Sequence, residues 1–413
     1  MIKLAAHEGD ILDDVKLIKE FQLDAIKDVS MLGNDDAEVG PGSFDPRINF
    51  VGFATNAEDD LLVVFPKHFR IDELSADSKL LFGILTRSLQ KGRLSFGDAY
   101  RRVADSSFPF AAFFGVYDYY QKYGLYFDER NVLNANSGDK IIWKETIRLA
   151  GKYVDKGNKF TMFPFFFRKK MNVSSFLTTC MAFVINYTID KFGLLLGIPR
   201  PSIETPNIDY LQQRTAIVSE LIRIRKSIFK DTTIRLLDSL IAFFQRIKSS
   251  GHYWLKHYSF ESVWEDAVRL YLTNHFAGIA AGHINLEKNP SLKIRFEKPT
   301  FSPNLANGSN FIQPDCYATD GSNQYIFDAK YYRQSHGIFY KELVYYFLLR
   351  DIKNKPNDTT TLYKKTYCAV FLPSEERKYG IGFQMDPKFN GLFSDACVFE
   401  EYLDTKEVLS EYK

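Results

Sequence analysis

A chain of 413 residues is too long for one ordinary compact domain and is expected to fold as two or three. Its 45% hydrophobic and 25% charged residues fit a soluble globular protein with a sizeable core. A formal net charge of +2 neither requires nor excludes a nucleic-acid partner, because a local basic face can hide in a balanced total.

Four dispersed cysteines (Cys180, Cys316, Cys368 and Cys397) form no CxxC pair and no Cys/His cluster, which argues against structural zinc and for a reducing compartment. The first ten residues turn acidic without a signal-peptide core. Apolar runs stay short of the roughly 18 residues that suggest a membrane span. The expectation is a cytoplasmic protein with no membrane partner.

In chain order, an acidic Gly-rich loop at 33–42 and a turn at 45–46 precede two β-like runs, Ile48 to Ala54 and Leu61 to Phe65, joined by a polar hairpin loop. Helical patterns are expected over Leu74 to Leu89 and over 96–104. The aromatic block Phe108 to Tyr123 leads into a turn, and 139–143 reads as a short strand. A first α+β domain, contacting DNA or a partner, is therefore placed at 1–150. A helical middle region is placed at 151–250. It begins with an apolar, helix-like stretch from Phe163 to Phe192, interrupted by Arg168-Lys169-Lys170. Pro199, Pro201 and Pro206 mark a loop. Residues 208–250 then show helical spacing, with Ile222, Ile224, Ile228, Leu236, Leu240 and Phe243 as core positions. Seven basic residues accompany them, from Arg223 to Lys248, more simply a solvated helix face than a phosphate-binding one.

The last segment, 251–413, has a clear α/β order. A helix over Phe260 to Asn274 buries Phe260, Val263, Trp264, Ala267 and Leu270. Extended runs follow at Leu292 to Phe296, Gln313 to Thr319 and Gln324 to Asp328, then a helix over 339–350 and a strand near Tyr367 to Leu372. The fold class expected for the whole chain is α/β (α+β).

The chemistry concentrates in Pro314-Asp315 and Asp328-Ala329-Lys330. Asp320-Gly-Ser-Asn reads as a hairpin turn that pairs the strands carrying the two aspartates. Period-two alternation puts Ile326, Asp328 and Lys330 on one face, and Tyr325, Phe327 and Ala329 on the other. Two carboxylates and an ammonium thus converge beside an apolar sheet. Carboxylates suit Mg²⁺, which usually keeps several waters and accepts phosphate oxygens. Such an ion offsets charge on a phosphoryl group and acidifies a water, and an ammonium orients that water or stabilises the transition state. A plain surface hairpin with a salt-bridged Asp and Lys is the competing reading. Glu261 and Glu265 lie one helical turn apart on the preceding helix; Glu265 is taken as the third metal carboxylate and Glu261 as accessory. Glu342 and Tyr346, with Lys341 and Tyr345 beside them, are accessory candidates on the following helix, although core packing accounts for the tyrosines equally well. The seven histidines show neither metal-ligand spacing nor a nucleophile partner, and His336 reads as a loop residue.

This pattern resembles the PD-(D/E)xK nuclease superfamily. Phe260-Glu-Ser-Val-Trp-Glu265, Gln313-Pro-Asp315 and Phe327-Asp-Ala-Lys-Tyr-Tyr332 resemble the LlaJI family of restriction endonucleases, related to McrC nuclease subunits. Val64-Phe-Pro-Lys67, Tyr123-Gly124-Leu125 and the stretch from Lys140 to Ile147 add landmarks. The resemblance implies a PD-(D/E)xK mixed sheet flanked by helices at 251–413. It implies cleavage of double-stranded DNA with Mg²⁺ (Mn²⁺ substituting), in a type II-like or McrBC-like restriction system serving phage defence. It also implies a separate McrB-like AAA+ NTPase; the chain has no G-x-x-x-x-G-K-[ST] loop of its own. Lys341-Glu342 stands where the family pattern has Lys-Gln. Cutting both strands calls for a homo-oligomer. Two other functions fit the same residues: a non-catalytic DNA-binding scaffold with a relict nuclease fold, and a repair or RNA-processing nuclease. No DNA-contacting side chain is assigned.

Overall fold

The computed structural model describes the chain apart from residues 1, 13–14, 25, 31–45, 92–103, 138–139, 155–156, 158, 249–250, 281, 333–339, 356, 390 and 413. The expected loop at 33–42, Asp45 of the turn at 45–46, nearly all of the helix at 96–104 and His336 lie outside the described residues. The protein is a mixed α+β structure with several sheets.

Its contacts group the chain into two compact units. One comprises 1–108, 194–197 and 250–413, and the other 109–193 and 198–249. This grouping differs from the three consecutive stretches expected, and the reason is a strand exchange. Trp254–His257, from the third stretch, lies antiparallel between Val51–Thr55 and Ala104–Ser106. It completes a five-stranded sheet with Leu61–Phe65 and the parallel edge strand Ile2–His7. Gly52 makes that contact possible: a Cβ there would fall 2.0 Å from the Leu255 carbonyl oxygen. Further links run to the chain's end, where Lys406 Nζ pairs with Asp72 at 2.7 Å and Asp77 at 2.6 Å. The Lys67 amide donates to the Tyr331 hydroxyl at 2.8 Å.

The second sheet of this unit runs Cys316–Thr319, Asn323–Ala329, Lys365–Ser374, Cys397–Asp404, Lys378–Gln384. Pairing is antiparallel in the first hairpin and parallel through the next two junctions. Ile326, Cys368, Val370 and Val398 pack against Tyr345, Tyr346 and Leu349 of the helix Tyr340–Leu349. Phe327, one residue out of phase, meets Phe276, Phe296 and Phe371. Both faces of the Asn323–Ala329 strand are therefore covered, as parallel pairing favours. The helix Glu261–His275 buries Val263, Trp264 and Ala267 as expected, together with Val268, Tyr271 and Leu272, while Leu270 is only half-buried. No strand forms at Leu292 to Phe296; that stretch is irregular.

In the other unit, Phe110–Tyr123 is a helix that ends at Gly124, whose φ of 74° few other residues adopt. The stretch from Phe163 is not helical throughout. Phe166–Val173 is a strand along Asp128–Ala135, and the helix begins at Phe176. Paired backbone and β-prone aromatics prevail there over apolar periodicity. The 21-residue helix Phe176–Leu196 is long and apolar enough to cross a membrane by length and composition, although Cys180, Met181, Val184 and Ile185 are buried within the protein. Helices Arg214–Arg225 and Asp231–Arg246 bury Leu236, Leu240 and Phe243 as expected, but Ile222 is exposed. Arg223 and Arg225 are engaged by Glu220 and Asp238.

One buried base makes a pH prediction. His257 has Nε2 3.2 Å from Ser88 Oγ, and its Nδ1 has no hydrogen-bond partner among the described residues. Burial lowers its pKa to about 4 from an ordinary 6.5. The unfolded chain therefore binds the proton first as pH falls. The neutral ring's contribution is intact above pH 6.5 and is lost as pH drops toward 4. The difference corresponds to about 3 kcal/mol. Denaturant titrations should show His257→Asn less stable at pH 7 yet shallower in its acid dependence by that amount; an unchanged slope would refute it.

Candidate active site

The hairpin that carries the candidate residues is fixed by its own turn. Asp320 donates its amide to the Asn323 carbonyl at 3.2 Å, and its Oδ1 accepts from the Ser322 and Asn323 amides. Gly321 takes φ 87°. Register follows: Cys316 opposes Phe327 and Thr319 opposes Gln324. One step beyond, Asp315 Oδ2 accepts from the Ala329 amide at 3.2 Å, which brings Asp315 beside Asp328.

Both carboxylates are nearly inaccessible, at 4% and 1% exposure, and lysines meet them. Lys330 Nζ lies 2.7 Å from Asp328 Oδ2 and 3.7 Å from Glu342 Oε1. Lys341 Nζ reaches both Asp328 oxygens, at 3.0 and 3.3 Å. Lys298 Nζ bridges Asp315 Oδ1 at 2.8 Å and Glu265 Oε2 at 2.6 Å. The salt-bridged Asp328–Lys330 reading is thus met in geometry, but in a buried setting rather than on a surface hairpin.

The electrostatics follow from that crowding. Burial, then the charge on Asp328, pushes the Asp315 pKa up to about 6. Burial also works against the charge of Asp328, but Lys330 and Lys341 outweigh it and hold its carboxyl below the usual range. Burial, with Asp328 adding to it, raises Glu342. For Lys330 and Lys298, burial is outweighed by the facing carboxylates, so both ammonium groups are strengthened.

Of the residues expected from sequence, Asp315, Asp328, Lys330, Glu265 and Glu342 come together. Glu261 stays on the exposed side of its helix. Tyr346 is in the core beneath the site, its hydroxyl accepting from Arg350 at 2.7 Å. Tyr345 donates to the Gln313 carbonyl at 3.2 Å, beside Asp315. Lys298 was not foreseen. It follows an irregular stretch, and its only anchor legible in sequence is Phe296. Lys341 was noted beside Glu342 without a role.

The oxygen donors of Asp315, Asp328 and Glu265 fit a hard divalent cation. Glu342 Oε1, buried 3.7 Å from Lys330 Nζ and with no hydrogen-bond partner among the described residues, adds a further oxygen alongside. Among the described residues no three carboxylate, imidazole or thiol groups stand together as a formed metal site. Lysine ammonium groups occupy the carboxylate oxygens instead.

A family model described as LlaJI restriction endonuclease matches residues 50–343. The chain belongs to the LlaJI restriction endonuclease family. The LlaJI match takes in Glu265, Lys298, Asp315, Asp328, Lys330, Lys341 and Glu342, and it begins just before the Val51–Thr55 strand. The LlaJI-family chain is also similar to a chain of a solved half-complex from a tetradecameric assembly of Thermococcus gammatolerans McrB AAA+ hexamers with bound McrC. Identity there is 12%, coverage is 99% of this chain and 98% of that one, and the TM-score is 0.39. No curated protein matches the chain.

Proposed function

We propose that this LlaJI-family chain is the Mg²⁺-dependent nuclease subunit of a restriction system, hydrolysing phosphodiester bonds of double-stranded DNA in the cytoplasm. The observation that carries this reading is the buried Asp315–Asp328 pair with Lys330 2.7 Å from Asp328, in a family of restriction endonucleases. In the PD-(D/E)xK arrangement, Asp315, Asp328 and Glu265 hold the metal, for which Mn²⁺ substitutes. When bound, that ion supplies Lewis-acid stabilisation of phosphoryl charge and a more acidic water. The protein's own part is positional. The hairpin fixes the two aspartates, and Lys330, kept charged by Asp328, presents an ammonium to an anionic phosphate. Lys341, half in solvent, is placed to meet the same phosphate group. Glu342, 3.7 Å from the Lys330 ammonium, adds a second carboxyl group beside it.

Nucleotide hydrolysis is assigned to a McrB-like AAA+ partner, because the chain carries no phosphate-binding loop of that type. Two copies of the nuclease subunit supply the two cuts of a duplex.

The test is Mg²⁺-supported cleavage of plasmid DNA by wild type and Lys330→Ala, with and without the AAA+ subunit. Loss of one positioned cationic donor should slow cleavage by about 10²- to 10³-fold. Equal cleavage by Lys330→Ala and wild type would sink the assignment. Activity of wild type alone would keep the nuclease and remove the NTPase requirement. Absence of cleavage on any DNA would favour a scaffold with a relict nuclease fold.

A further inference from the structure

We propose that Lys298 is a built-in counter-cation that competes with the divalent metal for Glu265 and Asp315. This rests on the reading of that pair as metal carboxylates. The helix residue Glu265 and the hairpin residue Asp315 point their oxygens at one spot from two different elements. A single ammonium fills it, 2.6 Å from one and 2.8 Å from the other. That is the position a bridging cation takes between two hard oxygen donors.

The backbone that delivers Lys298 is fixed, whereas its side chain is partly exposed. Glu297 and Tyr317 exchange amide-to-carbonyl bonds at 2.9 and 2.8 Å, which ties the preceding residue to the hairpin. Phe296 is buried against Phe276 and Phe327, and its amide donates to Thr273 Oγ1 at 3.2 Å. Lys298 itself retains 31% side-chain exposure, so the way from its ammonium to solvent is partly open. A flexible four-carbon stem carrying a compact charge suits such an exchange better than a planar guanidinium.

The physical consequence is a competition. With Lys298 in place one ammonium already offsets part of the charge of the two carboxylates without metal. A metal must displace the ammonium before it gains both oxygens. Lys298 thereby holds the site assembled while weakening its affinity for the ion. It is a positioning residue, and it acts through Glu265 and Asp315.

The experiment is a titration of the full-length protein with Mn²⁺ alone, following free ion by electron paramagnetic resonance, in the absence of DNA. Lys298→Met, which keeps the aliphatic stem, should tighten the Asp315-dependent binding by roughly tenfold, the scale of one removed charge at this distance in a partly exposed site. Lys298→Arg, which keeps the charge, should not tighten it. Asp315→Asn identifies which binding belongs to the site. Equal or weaker Mn²⁺ binding in Lys298→Met, with Asp315-dependent binding still measurable, would overturn the competition and leave the metal assignment standing. No Asp315-dependent binding in any variant would overturn both. Circular dichroism of each variant confirms that the comparison is between folded proteins.

Discussion

Asp328→Asn should give a folded protein whose Mg²⁺-dependent DNA cleavage is lost by about 10²- to 10³-fold or more. The substitution keeps the shape of a side chain that is 1% exposed, so it opens no cavity. What it removes is the charge that two ammonium groups share, Lys330 at 2.7 Å and Lys341 at 3.0 Å. An amide cannot neutralise them, and its nitrogen turns a donor toward one or the other. It also cannot serve as an anionic metal ligand. Two measurements separate the chemical from the structural consequence. Thermal unfolding should show a variant that remains cooperative, while the rise in unfolding temperature that Mg²⁺ gives the wild type should shrink toward zero, because that rise reports ion bound to the native state alone. If Asp328→Asn cleaves at the wild-type rate while still folded, the hairpin is not the hydrolytic centre.

The hairpin was legible in the sequence because every determinant is local. Asp320 and Gly321 define the turn, the turn sets the register, and period two does the rest. The register then places Asp315 next to Asp328 without any knowledge of the wider fold. Glu265 was legible at one remove, since helical phase puts it out of line with Val263, Trp264 and Ala267, which are buried. Glu261 shared that phase argument and is separated only by distance along the helix axis, which a single sequence does not report. Lys298 was opaque. The extended run expected at Leu292 to Phe296 forms no strand that would place it, and its two partners are 33 and 17 residues away in different elements. The strand Trp254–His257 was opaque for a related reason. No expectation attaches to its four residues in the sequence, and only pairing with Val51–Thr55, some 200 residues earlier, makes them a central strand.

That strand carries the second large effect. Lys256 is 4% exposed and Asp28 2% exposed, an unusual burial for either residue type. Lys256 Nζ lies 2.6 Å from Asp28 Oδ2, with the Phe50 and Trp254 rings at 5.0 and 5.4 Å from the ammonium. The Asp28 carboxylate also accepts from the Tyr258 hydroxyl at 2.8 Å and the Asp24 amide at 2.7 Å. Removing one partner takes this counter-ion from a buried charge. Asp28→Ala should therefore cost about 3–5 kcal/mol of unfolding free energy, as should Lys256→Ala. The double replacement Asp28→Leu with Lys256→Met removes both charges and refills the volume, and it should recover most of that loss. A double-mutant cycle by denaturant unfolding, with Asp28→Leu and Lys256→Met as its single arms, reads the coupling directly. Additive single losses would mean that the two charges are independently solvated and that the pair does not tie the strand into its sheet. Coupling of several kcal/mol, with cleavage by the double variant intact when assayed below its unfolding transition, would assign the pair to the scaffold alone. The rigid sheet on which the Lys67–Tyr331 contact rests would then be separable from the chemistry that the Asp315–Asp328 hairpin performs.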